Sequence, residues 1–257
     1  MPFLYWDIET RSALDLPKVH AWRYSGHAST DIWLLAFAVN DGEIKIWKPG
    51  EPIPEEFHIA VRDLDWTLIA HNAAFENAIA ERILAPRYHW PLCPIERIRC
   101  TQAASLASAL PPSLDDTAAA LKLDIRKDEE GRQLMLLMAR PRQRRPGEDR
   151  NQWHWHDADP AHLEQLGRYC ARDVEVEREI HKRVPPLSDA EQATWILDQG
   201  INHRGFQVDV ALAEAGEKIV AARLEQINQE AAEVTGGAVE KISQVARIEA
   251  FVAARGA

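Results

Sequence analysis

Cysteine is scarce in this chain: only Cys93, Cys100 and Cys170 occur among 257 residues. They form no CxxC pair and no cluster with metal-ligand spacing, so neither a disulfide framework nor a zinc finger is expected. A sparse, odd set fits reduced thiols in a cytoplasmic protein. Long apolar runs are missing as well. No stretch reaches the roughly 18 apolar residues of a membrane-spanning helix, so no membrane partner is expected. No basic segment followed by an apolar one opens the chain, so no signal peptide is expected. Basic charge is in deficit: 30 Lys and Arg stand against 40 Asp and Glu, a formal net charge of −10. That excludes a protein coating duplex DNA through overall positive charge. It leaves room for a nucleic-acid enzyme that holds its substrate through a local basic patch and bound cations. Internal repeats, low-complexity tracts, a P-loop, Gly-x-Ser-x-Gly and HExxH are also lacking, so kinase, serine-hydrolase and zinc-protease readings have no support.

What is present starts at Tyr5-Trp6-Asp7-Ile8-Glu9-Thr10. Phe3 to Ile8 read as a buried strand. Residues two apart on a strand share a face, so Asp7 and Glu9 project together. Two adjacent carboxylates repel unless a proton or a cation intervenes, and hard divalent ions take oxygen ligands. A strand end running into solvent would show the same pattern.

The chain of 257 residues, 46% hydrophobic, suits one large domain or a domain with an appendage. Residues 10–30 are polar, with a loop near Ser25-Gly26. Ile32–Val39, a turn at Asn40-Asp41-Gly42 and the alternating Glu43–Trp47 predict a hairpin. Strands one to three are therefore expected antiparallel and sequential. Pro49 to Pro54 read as a loop, Trp66–Ala70 as a fourth strand, and Arg97–Arg99 as a short fifth. A helix through Ala78, Ile79, Ile83 and Leu84 should end before Pro86. Turns are expected at Pro111-Pro112 and near Gly131, with Ser113 capping a helix over Leu114–Leu121. Arg140 to Asp157 reads as an exposed loop whose arginines are either solvated or phosphate contacts. Asp159-Pro160 opens a long helix with Leu163, Leu166, Cys170 and Val174 as its apolar stripe. It ends before Pro185-Pro186. Helical segments over Asp189–His203, Asp209–Thr235 and Lys241–Arg255 follow, with an extended piece at Gly205–Val208.

Two further groups carry chemistry. Glu76 follows the fourth strand in Asn72-x-x-Phe75-Glu76, where a helix start also favours a carboxylate for purely structural reasons. His71 beside it reads as a packing or hydrogen-bonding residue. Tyr169 and Asp173, spaced i and i+4 on the long helix, lie on one face beside the apolar stripe. An ordinary boundary Tyr and a surface Asp would look alike. Trp6, Tyr5 and Phe75 could stack on bases, but their strand-like placement favours the core. His154 and His156, near Asp157 and Asp159, read as loop polarity.

Taken together, Asp-x-Glu at the end of the first strand, Asn-x-x-Phe-Glu after the fourth and Tyr-x-x-x-Asp on a late helix resemble the three motifs of the DEDD superfamily of 3′–5′ exonucleases. The match is to its tyrosine-bearing DEDDy branch, which includes the proofreading domains of family A DNA polymerases and RNase D-like nucleases. The resemblance covers about residues 1–183. It implies an α/β, RNase H-like fold: a mixed five-stranded sheet flanked by helices, with an all-helical C-terminal extension over 184–257. It also implies two Mg²⁺ or Mn²⁺ ions. Asp7 would contact both, Glu9 and Asp173 would hold the ion bearing the attacking water, Glu76 would support the second, and Tyr169 would orient the water. Tyrosine, with a reference pKa of about 10, suits orientation better than deprotonation. Thr10, Asn72, Phe75, Arg142 and Arg144 are the corresponding substrate-binding candidates.

The family usually has Asp where Glu76 stands, which shifts or loosens the second ion's shell. The stretch HNAAFE nevertheless resembles phage-type family A polymerases. So do ILDQGINHRGFQVD and TGGAVEKISQVARIEAFVAARGA, which look like the segment leading to a polymerase domain. No Lys-rich fingers motif ending in Tyr-Gly occurs. The expectation is an N-terminal fragment, or the exonuclease half of a split polymerase, acting on single-stranded or frayed 3′ ends of DNA. The polymerase domain would be a partner in cis or in trans. The reaction expected is metal-assisted hydrolysis of the 3′-terminal phosphodiester, releasing nucleoside 5′-monophosphates. The rivals are an RNase D-like exoribonuclease, an RNase H-type endonuclease, and a non-catalytic module that binds DNA ends.

Overall fold

The structure, a computed structural model, describes residues 1–124, 128–156 and 159–256. Its element order is β1 (Phe3–Arg11), α1 (Leu16–Ser25), β2 (Asp31–Val39), β3 (Lys45–Trp47), α2 (Glu55–Arg62), β4 (Thr67–Ala70) and α3 (Ala73–Ile79). A π-turn (Ala80–Leu84) leads into α4 (Ala85–Tyr88). Then come β5 (Ile98–Cys100), α5 (Thr101–Ala107), α6 (Leu114–Ala120), α7 (Glu129–Met138), α8 (Pro160–Arg183), α9 (Asp189–Arg204), α10 (Val210–Thr235) and α11 (Val245–Ala253). The sheet order is β3-β2-β1-β4-β5. β1, β2 and β3 pair antiparallel in sequence, as the hairpin signal predicts, while β4 joins β1 in parallel and β5 joins β4 in parallel. This is the mixed five-stranded sheet of the RNase H-like fold.

Strand alternation divides β1 cleanly. Leu4, Trp6 and Ile8 enter one core with Leu35, Phe37, Phe57, Ile79 and Trp90. Phe57 of α2 meets the Trp90 ring at 4.4 Å and Trp6 at 5.9 Å, and Trp47 meets Trp90 at 5.0 Å. Each such aromatic pair contributes about 0.5–1.5 kcal/mol beyond its buried area. Tyr5 enters the other core, with Leu34, Ala36, Ile69, Met138, Leu166, Cys170 and Val174. Tyr5 and Trp6 are thus core residues. Asp7 and Glu9 continue the Tyr5 face and point toward α8.

α8 is fixed at both ends as its sequence demands. The Asp159 carboxylate accepts from Ala161 N–H at 2.9 Å, Pro160 fills the first turn, and the helix stops just before Pro185. Gly167 lets it settle on the sheet, since a Cβ there would lie 2.9 Å from Ile46 Cδ1.

Several local expectations change. Residues 16–25 form α1, kinked at His20, whose φ is 59°. The helix after β4 does not end before Pro86. The π-turn widens it there, and the chain continues through Pro86 despite the missing N–H. Gly131 marks no turn: it lies inside α7 and is buried. The 140s segment is irregular as expected, with Asp157 outside the described residues. The last helix spans Val245–Ala253, shorter than Lys241–Arg255.

The chain forms two compact units, Met1–Arg204 and Gly205–Ala257. α9 therefore packs with the first unit, although its sequence groups it with the extension. Among the described residues no helix is long and apolar enough to cross a membrane.

Candidate metal centre

β1 delivers Asp7 and Glu9, and α8 meets them from above. Among the described residues one group of potential metal ligands lies within 4.8 Å of one another: Asp7, Glu9 and Cys170 Sγ. The Cys170 thiol donates to Asp7 Oδ2 at 3.2 Å. Burial and the neighbouring carboxylates push that thiol well above its usual range, so it stays neutral and acts as a donor. The metal-facing donors are then carboxylate oxygens, which suits a hard divalent cation such as Mg²⁺ or Mn²⁺.

Asp7, Glu9, Glu76 and Asp173 share an electrostatic signature. Burial pushes Asp7 up to about 6. Glu9 is raised well above the ordinary range by burial, then by Asp7 and Asp173. Glu76, 3% exposed in the first turn of α3, is raised by burial and by Asp7. Asp173 is raised by burial, Asp7 and Asp115, against a hydrogen bond from Tyr169 that lowers it. Among the described residues no cation figures in the electrostatics of Asp7, Glu9 or Glu76. Glu76 Oε2 is buried without a partner. Burying an unpaired carboxylate oxygen is costly, and a cation resolves that cost. The residues present therefore fit the metal ions that the motifs imply.

Tyr169 and Asp173 line a cavity of about 290 Å³ with Asp115, Asp128, Arg132 and Arg172. Burial, then Asp173, Glu9 and Asp7 raise the Tyr169 hydroxyl above its usual value, so it remains a phenol at any working pH. Its ring leans on Gly131, where a Cβ would lie 2.7 Å from Tyr169 Cδ2. This close approach explains the buried glycine inside α7.

The substrate-binding candidates divide. Asn72, exposed and left-handed at φ 68°, caps α3 without a side-chain bond. Asn72 and the half-buried Phe75 line a cavity of about 660 Å³ with His20, Trp22, Gln199 and Asn202. Thr10 is turned inward, its hydroxyl 2.8 Å from the Tyr24 hydroxyl. Arg142 grips Glu148 at 2.6 and 2.8 Å, and Arg144 donates to the Glu148 carbonyl at 2.8 Å. Both arginines frame their own loop. Arg132 and Arg172 are the cations beside the motif face, and composition alone did not single them out.

His71 is structural. Its Nε2 donates to the Pro112 carbonyl at 3.0 Å, so Nδ1 accepts from the Thr101 hydroxyl at 2.9 Å. Burial lowers its pKa and keeps the ring neutral. A fifth carboxylate, Glu177, went unnoticed in the sequence. It stands one turn past Asp173 and is 1% exposed. The available signal was its i+4 spacing from Asp173 beside the apolar stripe.

No family model matches the chain. Over 212 residues, 81% of its length, it is 33% identical to a DNA polymerase of Bacillus phage SP02, and it spans 32% of that relative's length. Among solved structures, NrnC of Brucella melitensis with bound Mg²⁺ aligns at 15% identity over 79% of this chain and 86% of that one, with a TM-score of 0.43. RNase D of Escherichia coli, an exoribonuclease involved in structured RNA processing, aligns at 13% identity over 80% and 46%, with a TM-score of 0.44. The three motifs lie on β1, α3 and α8 around the β3-β2-β1-β4-β5 sheet of an RNase H-like fold, and the sequence is similar to one part of a phage DNA polymerase.

Proposed function

We propose that the first unit is a proofreading-type exonuclease that hydrolyses the 3′-terminal phosphodiester of DNA with two divalent ions and releases nucleoside 5′-monophosphates. The observation that carries this reading is the meeting of Asp7 and Glu9 on β1 with Cys170, Asp173 and Tyr169 on α8. Asp7 would hold both ions, Glu9 and Asp173 the one on the water side, and Glu76 the other. Bound there, the ions supply charge neutralisation and a hydroxide near neutral pH.

The protein's own groups do the rest. The neutral Tyr169 hydroxyl donates its proton to Asp173, which leaves its oxygen to accept a hydrogen bond from the attacking water and so orient it. Arg132 and Arg172 place positive charge on the cavity that opens beside Asp173. The cavity lined by Phe75 and Asn72 gives the unstacked terminal nucleoside an apolar wall and an amide. A single-stranded or frayed end supplies such a nucleoside without the cost of unpairing. The similarity to a phage polymerase favours DNA as substrate and a polymerase domain as partner, in cis or in trans. In the second unit, exposed Val210, Leu212, Ile219 and Val220 on α10 are side chains that such a partner would cover. The cytoplasm of a bacterial or phage-infected cell is the matching place of action.

The test compares 5′-labelled single-stranded DNA and RNA of one sequence with Mg²⁺ or Mn²⁺. A ladder shrinking from the 3′ end, faster on DNA, is expected. Faster shortening of RNA would mark an exoribonuclease, and internal cuts an endonuclease. No shortening by folded protein with either ion would leave a binding module.

A further inference from the structure

Glu177 is held in a position that the described residues satisfy only in part. One of its oxygens, Oε2, accepts the main-chain N–H of His71 at 2.9 Å. The other, Oε1, is buried and has no partner, as is Oε2 of Glu76. After burial, the largest influences on Glu177 are Asp7, Glu76, the His71 N–H and the neutral Cys100 thiol, none of them a cation. Glu76 on α3 and Glu177 on α8 are thus two buried carboxylates, each with an orphaned oxygen and each acted on by the charge of Asp7. Among the described residues no ion pair holds Glu177, and a hydrogen-bonded amide would serve the His71 contact equally well. What an acid offers here, and an amide does not, is a negatively charged oxygen for a cation.

We propose that Glu177 is a ligand of the second metal ion, joining Glu76 so that two glutamates do the work of the single aspartate usual at that place. The inference rests on the two-ion reading above. It also accounts for Glu76 itself: with a second carboxylate available from α8, the ion can sit where the longer side chain reaches it.

The test is a Mn²⁺ titration of the full chain with saturating thymidine 5′-monophosphate, followed by calorimetry and by the EPR signal of free Mn²⁺. Glu177→Gln keeps the size of the side chain and an oxygen for the His71 N–H. The variant should bind the first ion as wild type does and the second about ten- to a hundred-fold more weakly. Two ions bound with wild-type affinity by the variant would overturn the inference and leave the two-ion reading intact. Fewer than two ions bound by wild type would overturn both. Should the variant not fold, Mn²⁺ anomalous scattering from wild-type crystals gives the same decision. A Glu177 oxygen ligating the second ion supports the inference, and two placed ions without Glu177 overturn it.

Discussion

The Cys170 thiol donates to Asp7 Oδ2 at 3.2 Å, tying the long helix to the first carboxylate of the site. That bond lowers Asp7, against the burial that raises it. Cys170→Ala removes the donor and leaves Asp7 easier to protonate and to rotate. A hydrogen bond of this kind contributes about 0.5–1.5 kcal/mol, so Mn²⁺ half-saturation of the nuclease reaction should rise roughly two- to ten-fold. Cys170→Ser, which keeps a donor, should stay nearer wild type.

Gly131 supports Tyr169 by making room for its ring. Gly131→Ala places a methyl 2.7 Å from Tyr169 Cδ2 and also crowds Asp128. The ring must move, and the hydroxyl with it. Turnover should fall about ten- to a hundred-fold, a range typical of a misplaced catalytic group. Mn²⁺ binding, measured by calorimetry, should weaken far less than turnover, because Asp7 and Glu9 stay on β1 and only the Tyr169 hydrogen bond to Asp173 is disturbed.

The fold and the site were legible in the sequence to different depths. Asp7 and Glu9 show themselves through strand alternation, and Tyr169 and Asp173 through helical spacing, because both periodicities are local. Glu177 obeys the same spacing, yet its burial depends on how α8 meets the end of β4, which no local pattern encodes. Gly131 reads as a turn because glycine usually breaks a helix. Its reason is a ring contact 38 positions away in sequence (Gly131 to Tyr169). Pro86 misleads similarly, since a π-turn carries the chain past it. Arg142 and Arg144 look like phosphate ligands by composition until Glu148 is seen to hold them.

The site should make the metal-free protein less stable as pH rises. Asp7 lies at about 6 when folded, against about 4 for an unfolded aspartate. Between those values the folded state binds more protons, so stability falls with increasing pH. The penalty is absent below about 4 and complete above the folded value. Asp7→Asn lacks it. Without metal, the variant's melting temperature should match wild type near pH 4 and exceed it at pH 7.5, a gain of about 1–2 kcal/mol after allowing for partial solvent access. Excess Mg²⁺ should reverse the order, because only wild type binds the ions fully.

Asp7→Ala should abolish shortening of single-stranded DNA, by about a thousand-fold or more, while its circular dichroism spectrum stays that of wild type. Glu76→Asp should keep activity or raise it. Complete loss in that variant would show that the longer side chain is required by the local geometry.

The central claim is that Asp7 sits at the heart of a two-metal centre. Crystals soaked in Mn²⁺ with thymidine 5′-monophosphate and measured at the manganese edge test it most directly. Two anomalous peaks are expected, both touching Asp7, one shared with Glu9 and Asp173 and the other with Glu76. A single peak, or none within reach of Asp7, would contradict the account.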